Sequence, residues 1–95
     1  MNTQREKLEK ALTVNSQQGL HARIATLLVQ AMQKFSCEVT VVKDGVEVNA
    51  RSVLGLLLLA ATSGTQILVR AQGPDSTEAI EEFSRLIEHE DTKRI

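Results

Sequence analysis

The chain has 95 residues, enough for one domain around one small core. Its 42% hydrophobic and 24% charged residues are those of a globular protein, and 11 Lys plus Arg against 12 Asp plus Glu leave no basic excess for nucleic acid. One cysteine and two histidines exclude an internal disulfide and argue against a metal site, while polar residues 1–10 and a longest apolar run of only Val53 to Ala61 point to neither a signal peptide nor membrane insertion.

Residues 1–9 read as an N-terminal extension, residues 10–90 as the domain and residues 91–95 as a C-terminal tail. From Lys10 to Asn15 the pattern alternates, with Leu12 and Val14 on one face, as in a strand with one buried side. Residues 16–20 are a loop. Ile24, Ala25, Leu27, Leu28, Ala31, Met32 and Phe35 recur at helical spacing, which predicts a helix from Ala22 to Phe35. Cys37, Val39 and Val41 form a second strand. Asp44-Gly45 follows, a type I′ hairpin signal, because that turn needs positive φ at both central residues. Val46, Val48 and Ala50 continue into a third strand, with Glu47 and Asn49 facing water.

Ser52 to Ala61 reads as a short helix with Ser52 as its N-cap. Leu56, Leu59 and Ala60 are expected to face the sheet, which leaves Val53, Leu54, Leu57 and Leu58 outward. Such an apolar patch suits a partner surface, and burial under the N-terminal extension explains it equally well. Ile67, Val69 and Ala71 alternate on a fourth strand closed by Gly73-Pro74. Asp75 then caps a last helix, with Glu78 in capping-box register. Ala79, Ile80, Phe83, Leu86 and Ile87 form its apolar stripe. The order is βαββαβα. One-sided strands ask for helices on one face, so the expected architecture is a two-layer α+β sandwich.

The chemistry concentrates at Gly19-Leu20-His21-Ala22-Arg23. The histidine sits where a loop becomes a helix. The first N–H groups of a helix lack internal partners and favour an anion. Imidazole is a nucleophile that forms covalent intermediates, and the Arg23 guanidinium can grip phosphate oxygens in pairs. A bare His-x-Arg is also compatible with an ordinary surface histidine. Cys37 reads as a small buried hydrophobe, and His89 as solvated surface. No Walker loop or GxGxxG is present, so no cofactor is expected.

Gln18-Gly19-Leu20-His21-Ala22-Arg23 resembles the active-site signature of the HPr family, the histidine-containing phosphocarriers of the bacterial phosphoenolpyruvate-dependent sugar phosphotransferase system. Asn49-Ala50-Arg51-Ser52-Val53-Leu54-Gly55-Leu56 is similar to that family's regulatory-serine region. The resemblance covers about residues 10–90. It implies an open-faced β-sandwich, a four-stranded antiparallel sheet with three helices on one side. It implies that His21 accepts a phosphoryl group on Nδ1 from phospho-enzyme I and passes it to IIA domains of sugar permeases, with Arg23 stabilising the phosphohistidine. Ser52 would be the target of an HPr kinase/phosphorylase. Leu20, Val53, Leu54 and Leu57 would form the partner surface of a cytoplasmic monomer.

One position departs from the family. Ile24 stands where the family usually has proline after the arginine, and is expected to loosen the helix start. Replacing it with proline is expected to leave the fold intact. The departure leaves room for a second reading, a regulatory binding module that docks under serine-phosphate control without carrying phosphate.

Overall fold

The structure, a computed structural model, describes residues 7–89. The elements are β1 (Lys7–Thr13), α1 (Ala22–Met32), β2 (Glu38–Lys43), β3 (Val46–Asn49), α2 (Val53–Leu58), β4 (Gln66–Gln72) and α3 (Ser76–His89). This is the expected α+β order. The strands form one sheet in the order β1-β4-β2-β3, and every neighbouring pair is antiparallel.

The alternation seen in the sequence becomes the two faces of this sheet. Leu12, Val39, Val41, Ile67, Val69 and Ala71 point inward and are buried. The register sets Val41 beside both Val48 and Val69, and Leu12 opposite Ile67. Against this face α1 brings Ile24, Ala25, Leu28 and Met32, α2 brings Leu56, and α3 brings Ala79, Ile80, Phe83 and Ile87. Fully burying side chains of this size stabilises by about 1.5–3 kcal/mol each before entropy is counted. The other face is polar. There Arg70 reaches Glu9 at 2.9 Å and Glu47 at 3.4 Å. The result is the two-layer, open-faced sandwich.

The hairpin forms as its dipeptide predicts, with Asp44 at φ 51° and Gly45 at φ 81°. Beyond shifts of one or two residues at the end of β1, the start of β2 and the end of β3, three boundaries differ from expectation. β1 starts at Lys7, so residues 7–9 belong to the sheet instead of an extension. Their charges face solvent on an edge strand, and only Leu8 packs inward, so the alternation was too faint to read. Residues 1–6 and the tail at 91–95 lie outside the described residues. α1 ends at Met32, short of Phe35, in a turn with Phe35 N–H bonded to the Met32 carbonyl at 3.2 Å. No Gly or Pro stops it. The stop is tertiary: the Arg51 guanidinium donates to the carbonyls of Met32 at 2.8 Å, Phe35 at 2.6 Å and Cys37 at 3.1 Å. α2 ends at Leu58, because Ala60 turns to φ 52° and is exposed instead of facing the sheet.

Asp75 stands at the start of α3, and its carbonyl accepts from Ala79 N–H at 3.1 Å. Its carboxylate is spent elsewhere. The two oxygens accept from Ser36 N–H at 2.8 Å and Cys37 N–H at 2.9 Å, which ties the exit of α1 to α3.

Candidate functional site

The loop joining β1 to α1 is held from several sides. Gly19 N–H bonds to the Ser16 carbonyl at 3.0 Å, and Leu20 N–H bonds to the Ala61 carbonyl at 2.9 Å. Gly19 has φ +74°, and a Cβ there would press on the Ala61 carbonyl and lie 2.9 Å from the Thr62 Cα. Only glycine fits this left-handed, close-packed position. The Leu20 side chain, 5% exposed, anchors the loop in the core. Leu20 therefore cannot belong to an exposed partner surface, as was expected of it. The chain immediately before the histidine is packed down, and the half-buried histidine is tied to it by its N–H, which donates to the Gly19 carbonyl at 2.9 Å.

His21 is the N-cap of α1, with extended φ −93° and ψ 176°. Its carbonyl accepts Ala25 N–H at 2.9 Å, and its ring Nδ1 accepts Arg23 N–H at 3.2 Å. An imidazole nitrogen that accepts carries a lone pair, so the ring hydrogen is assigned to Nε2. Nδ1 thus lies among the first amides of a helix, where negative charge is favoured. Arg23 is exposed in the first turn of α1. His21 and Arg23 share a cleft of about 290 Å³ with Ser16, Gln17 and Gln18.

The chain belongs to the HPr family. The model described as the PTS HPr component phosphorylation site matches residues 8–89. The phosphocarrier protein HPr of Xylella fastidiosa strain Temecula1 is 48% identical over 82 residues, which cover 86% of this chain and 92% of that protein. The crystal structure of HPr from Thermoanaerobacter tengcongensis superposes with a TM-score of 0.86 at 36% identity, covering 93% of this chain and 99% of that one. The crystal structure of the catabolite repression protein Crh of Bacillus subtilis superposes with a TM-score of 0.72 at 40% identity, covering 83% of this chain and 91% of that one. Crh is described there as a swapped dimer, so the expectation of a monomer is not supported.

Ser52 stands apart from the cleft, as the N-cap of α2. Its Oγ accepts Gly55 N–H at 2.9 Å and is partly exposed. Of the outward set, Leu54 at 67% and Leu58 at 70% are open to solvent. Val53 and Leu57 are half-buried and pack against the core. Leu27 was missed. It reads as one more apolar helix position, yet it lies off the buried stripe at 38% exposure, one turn beyond Arg23. Its spacing from Arg23 was the available signal.

Ile24 begins the buried face of α1. Its side chain is 1% exposed and fixes the first turn of α1 in the core. Cys37 is 2% exposed. Burial, aided by a hydrogen bond and the charge of Asp75, pushes its thiol up to about 11, so it carries no thiolate at neutral pH. His89 closes α3, and its side chain lies outside the described residues. No helix among the described residues is long and apolar enough to cross a membrane.

Proposed function

We propose that His21 is the phosphoryl acceptor of this HPr-family chain and that the phosphoryl group rides on Nδ1. The observation that carries this is the Nδ1 lone pair held 3.2 Å from the Arg23 N–H at the start of α1. In the transfer, Nδ1 forms a bond to phosphorus as the donor's own bond to phosphorus breaks, and the donor keeps that electron pair. The Nε2 hydrogen stays on the ring. The new phosphoryl oxygens meet the helix amides and the Arg23 side chain, which oppose their charge. The next transfer reverses these steps towards an acceptor.

The donor proposed is phospho-enzyme I and the acceptors are IIA domains of sugar permeases, in the cytoplasm. Their docking surface is the exposed apolar rim of Leu27, Leu54 and Leu58, with Val53 and Leu57 beneath. An apolar patch beside a mobile charge suits partners that must bind briefly and release. Ser52 is the proposed regulatory position, served by an HPr kinase/phosphorylase. A phosphoryl group there adds about two negative charges at the edge of this rim. Its oxygens can take over the Gly55 N–H while the charge opposes docking. The similarity to Crh favours this second, regulatory layer, which needs no loss of the first.

The test is incubation with enzyme I and phosphoenolpyruvate, read by intact mass and then acid treatment. One acid-labile phosphoryl group is expected on the wild type and none on His21→Ala. Equal labelling of both proteins would remove His21 from the reaction.

A further inference from the structure

Three serines are buried: Ser16, Ser76 and Ser84. A serine hydroxyl has one hydrogen to donate besides its lone pairs. Ser76 donates to the Gly73 carbonyl at 2.8 Å, and Ser84 is directed at Glu88 Oε1 at 3.4 Å. Ser16 differs. Its Oγ accepts Gln18 N–H at 3.3 Å, and among the described residues nothing accepts its own hydrogen. It is 3% exposed, so bulk water reaches it poorly. A buried donor without a partner carries a desolvation cost and is uncommon in folded proteins.

The place of this hydroxyl supplies the missing partner. Ser16 lines the cleft that holds His21 and Arg23. The Gln18 N–H occupies one side of Oγ, which leaves the hydrogen to turn elsewhere. We propose that Ser16 is a phosphoryl-binding residue whose hydroxyl donates to an oxygen of the group carried on His21. The proposal rests on His21 being the acceptor. In the uncharged protein the donor waits unpaired. In the phosphorylated protein it meets an anionic oxygen, a stronger acceptor than any neutral group. The bond forms only in the charged state, so it shifts the phosphorylation equilibrium instead of merely supporting the fold.

The experiment is a competition in one tube. Wild type and Ser16→Ala, as full chains in equal amounts, share limiting phosphoenolpyruvate through a catalytic amount of enzyme I. Intact mass resolves the two phosphorylated species at equilibrium. The phosphoryl group is expected to favour the wild type by roughly tenfold, the range of a charge-assisted hydrogen bond. Ser16→Thr, which keeps the hydroxyl, is expected to share the group evenly with wild type. The phosphohistidine ³¹P resonance should move in Ser16→Ala and stay in Ser16→Thr. Even partition with Ser16→Ala, or equal loss in both variants, would overturn the proposal. Absence of label on the wild type would instead overturn the reading of His21.

Discussion

The two ends of α1 are finished in opposite ways. At the C-terminal end every strong group is matched within the chain. Arg51 donates to three carbonyls, and Asp75 accepts from Ser36 and Cys37 N–H. At the N-terminal end the imidazole of His21 caps the Arg23 N–H at a long 3.2 Å, and both residues line a cleft. A helix dipole puts partial charge at both ends. This chain neutralises one end permanently with a guanidinium, and the other is the end proposed to meet a transferable anion. One end of the helix serves stability, and the other is the end proposed for chemistry.

The largest effect on stability should come from unsealing the closed end. Arg51→Ala leaves three carbonyls without their donor and should destabilise by about 2–4 kcal/mol in urea unfolding. Phosphoryl acceptance by His21 should survive under conditions where the variant is folded. Arg51→Lys should recover only part of the loss, because an ammonium lacks the planar fork. If Arg51→Ala left the unfolding midpoint unchanged, the two ends would not differ as described.

Gly19→Ala acts on the open end. The new Cβ meets the Ala61 carbonyl and Thr62 Cα at a left-handed φ. Strain of about 2 kcal/mol is expected. Unlike Arg51→Ala, it should also slow transfer from enzyme I, because Leu20 N–H loses its hold next to His21. A variant that was destabilised yet transferred at the normal rate would show that the loop need not be held for chemistry.

The contrast also explains what was readable in the sequence. Asp44-Gly45 and the His21 site are local: each is specified by a residue's own backbone preference or by a partner two residues away. The closed end is not local. Asp75 was expected to serve its own helix, and its carboxylate instead serves residues 39 and 38 positions earlier. Arg51 carried no pattern at all, since its carbonyl partners lie 14 to 19 residues back. Leu20 failed for the same reason, because its burial depends on how the loop is pulled towards Ala61. Leu54 and Leu58 were legible because a six-residue helix with leucine on every side must leave some of them in water.

Acid should separate the ends as well. Backbone hydrogen bonds, first from Ser36 N–H, hold the Asp75 carboxyl below its usual range against the effect of burial. A depressed carboxylate contributes stability above its unfolded value of about 4 and loses it as pH falls through the folded value. Urea midpoints of wild type and Asp75→Asn should therefore differ most near neutrality and converge as the pH falls through the folded value. The buried Cys37 thiol works in the other direction. Its stability contribution is full below its unfolded value and is lost as pH rises towards about 11. A constant difference between wild type and Asp75→Asn across the acid range would remove Asp75 from the seal.

The smallest effect should be a gain. Ala60 holds φ 52° at the end of α2, and the next residue supplies the carbonyl that holds Leu20. A non-glycine residue in this region costs about 1–2 kcal/mol. Glycine removes most of that cost but adds freedom to the unfolded chain, worth about 0.5–1 kcal/mol. Ala60→Gly should therefore stabilise by about 0.5–1 kcal/mol, read as a higher urea midpoint. Transfer should be unchanged, because glycine adopts the same φ and leaves the Ala61 carbonyl in place. A faster or slower transfer would mean that strain at Ala60 reaches His21 through the Leu20 bond. The open end would then be tuned by α2 as well as supported by it.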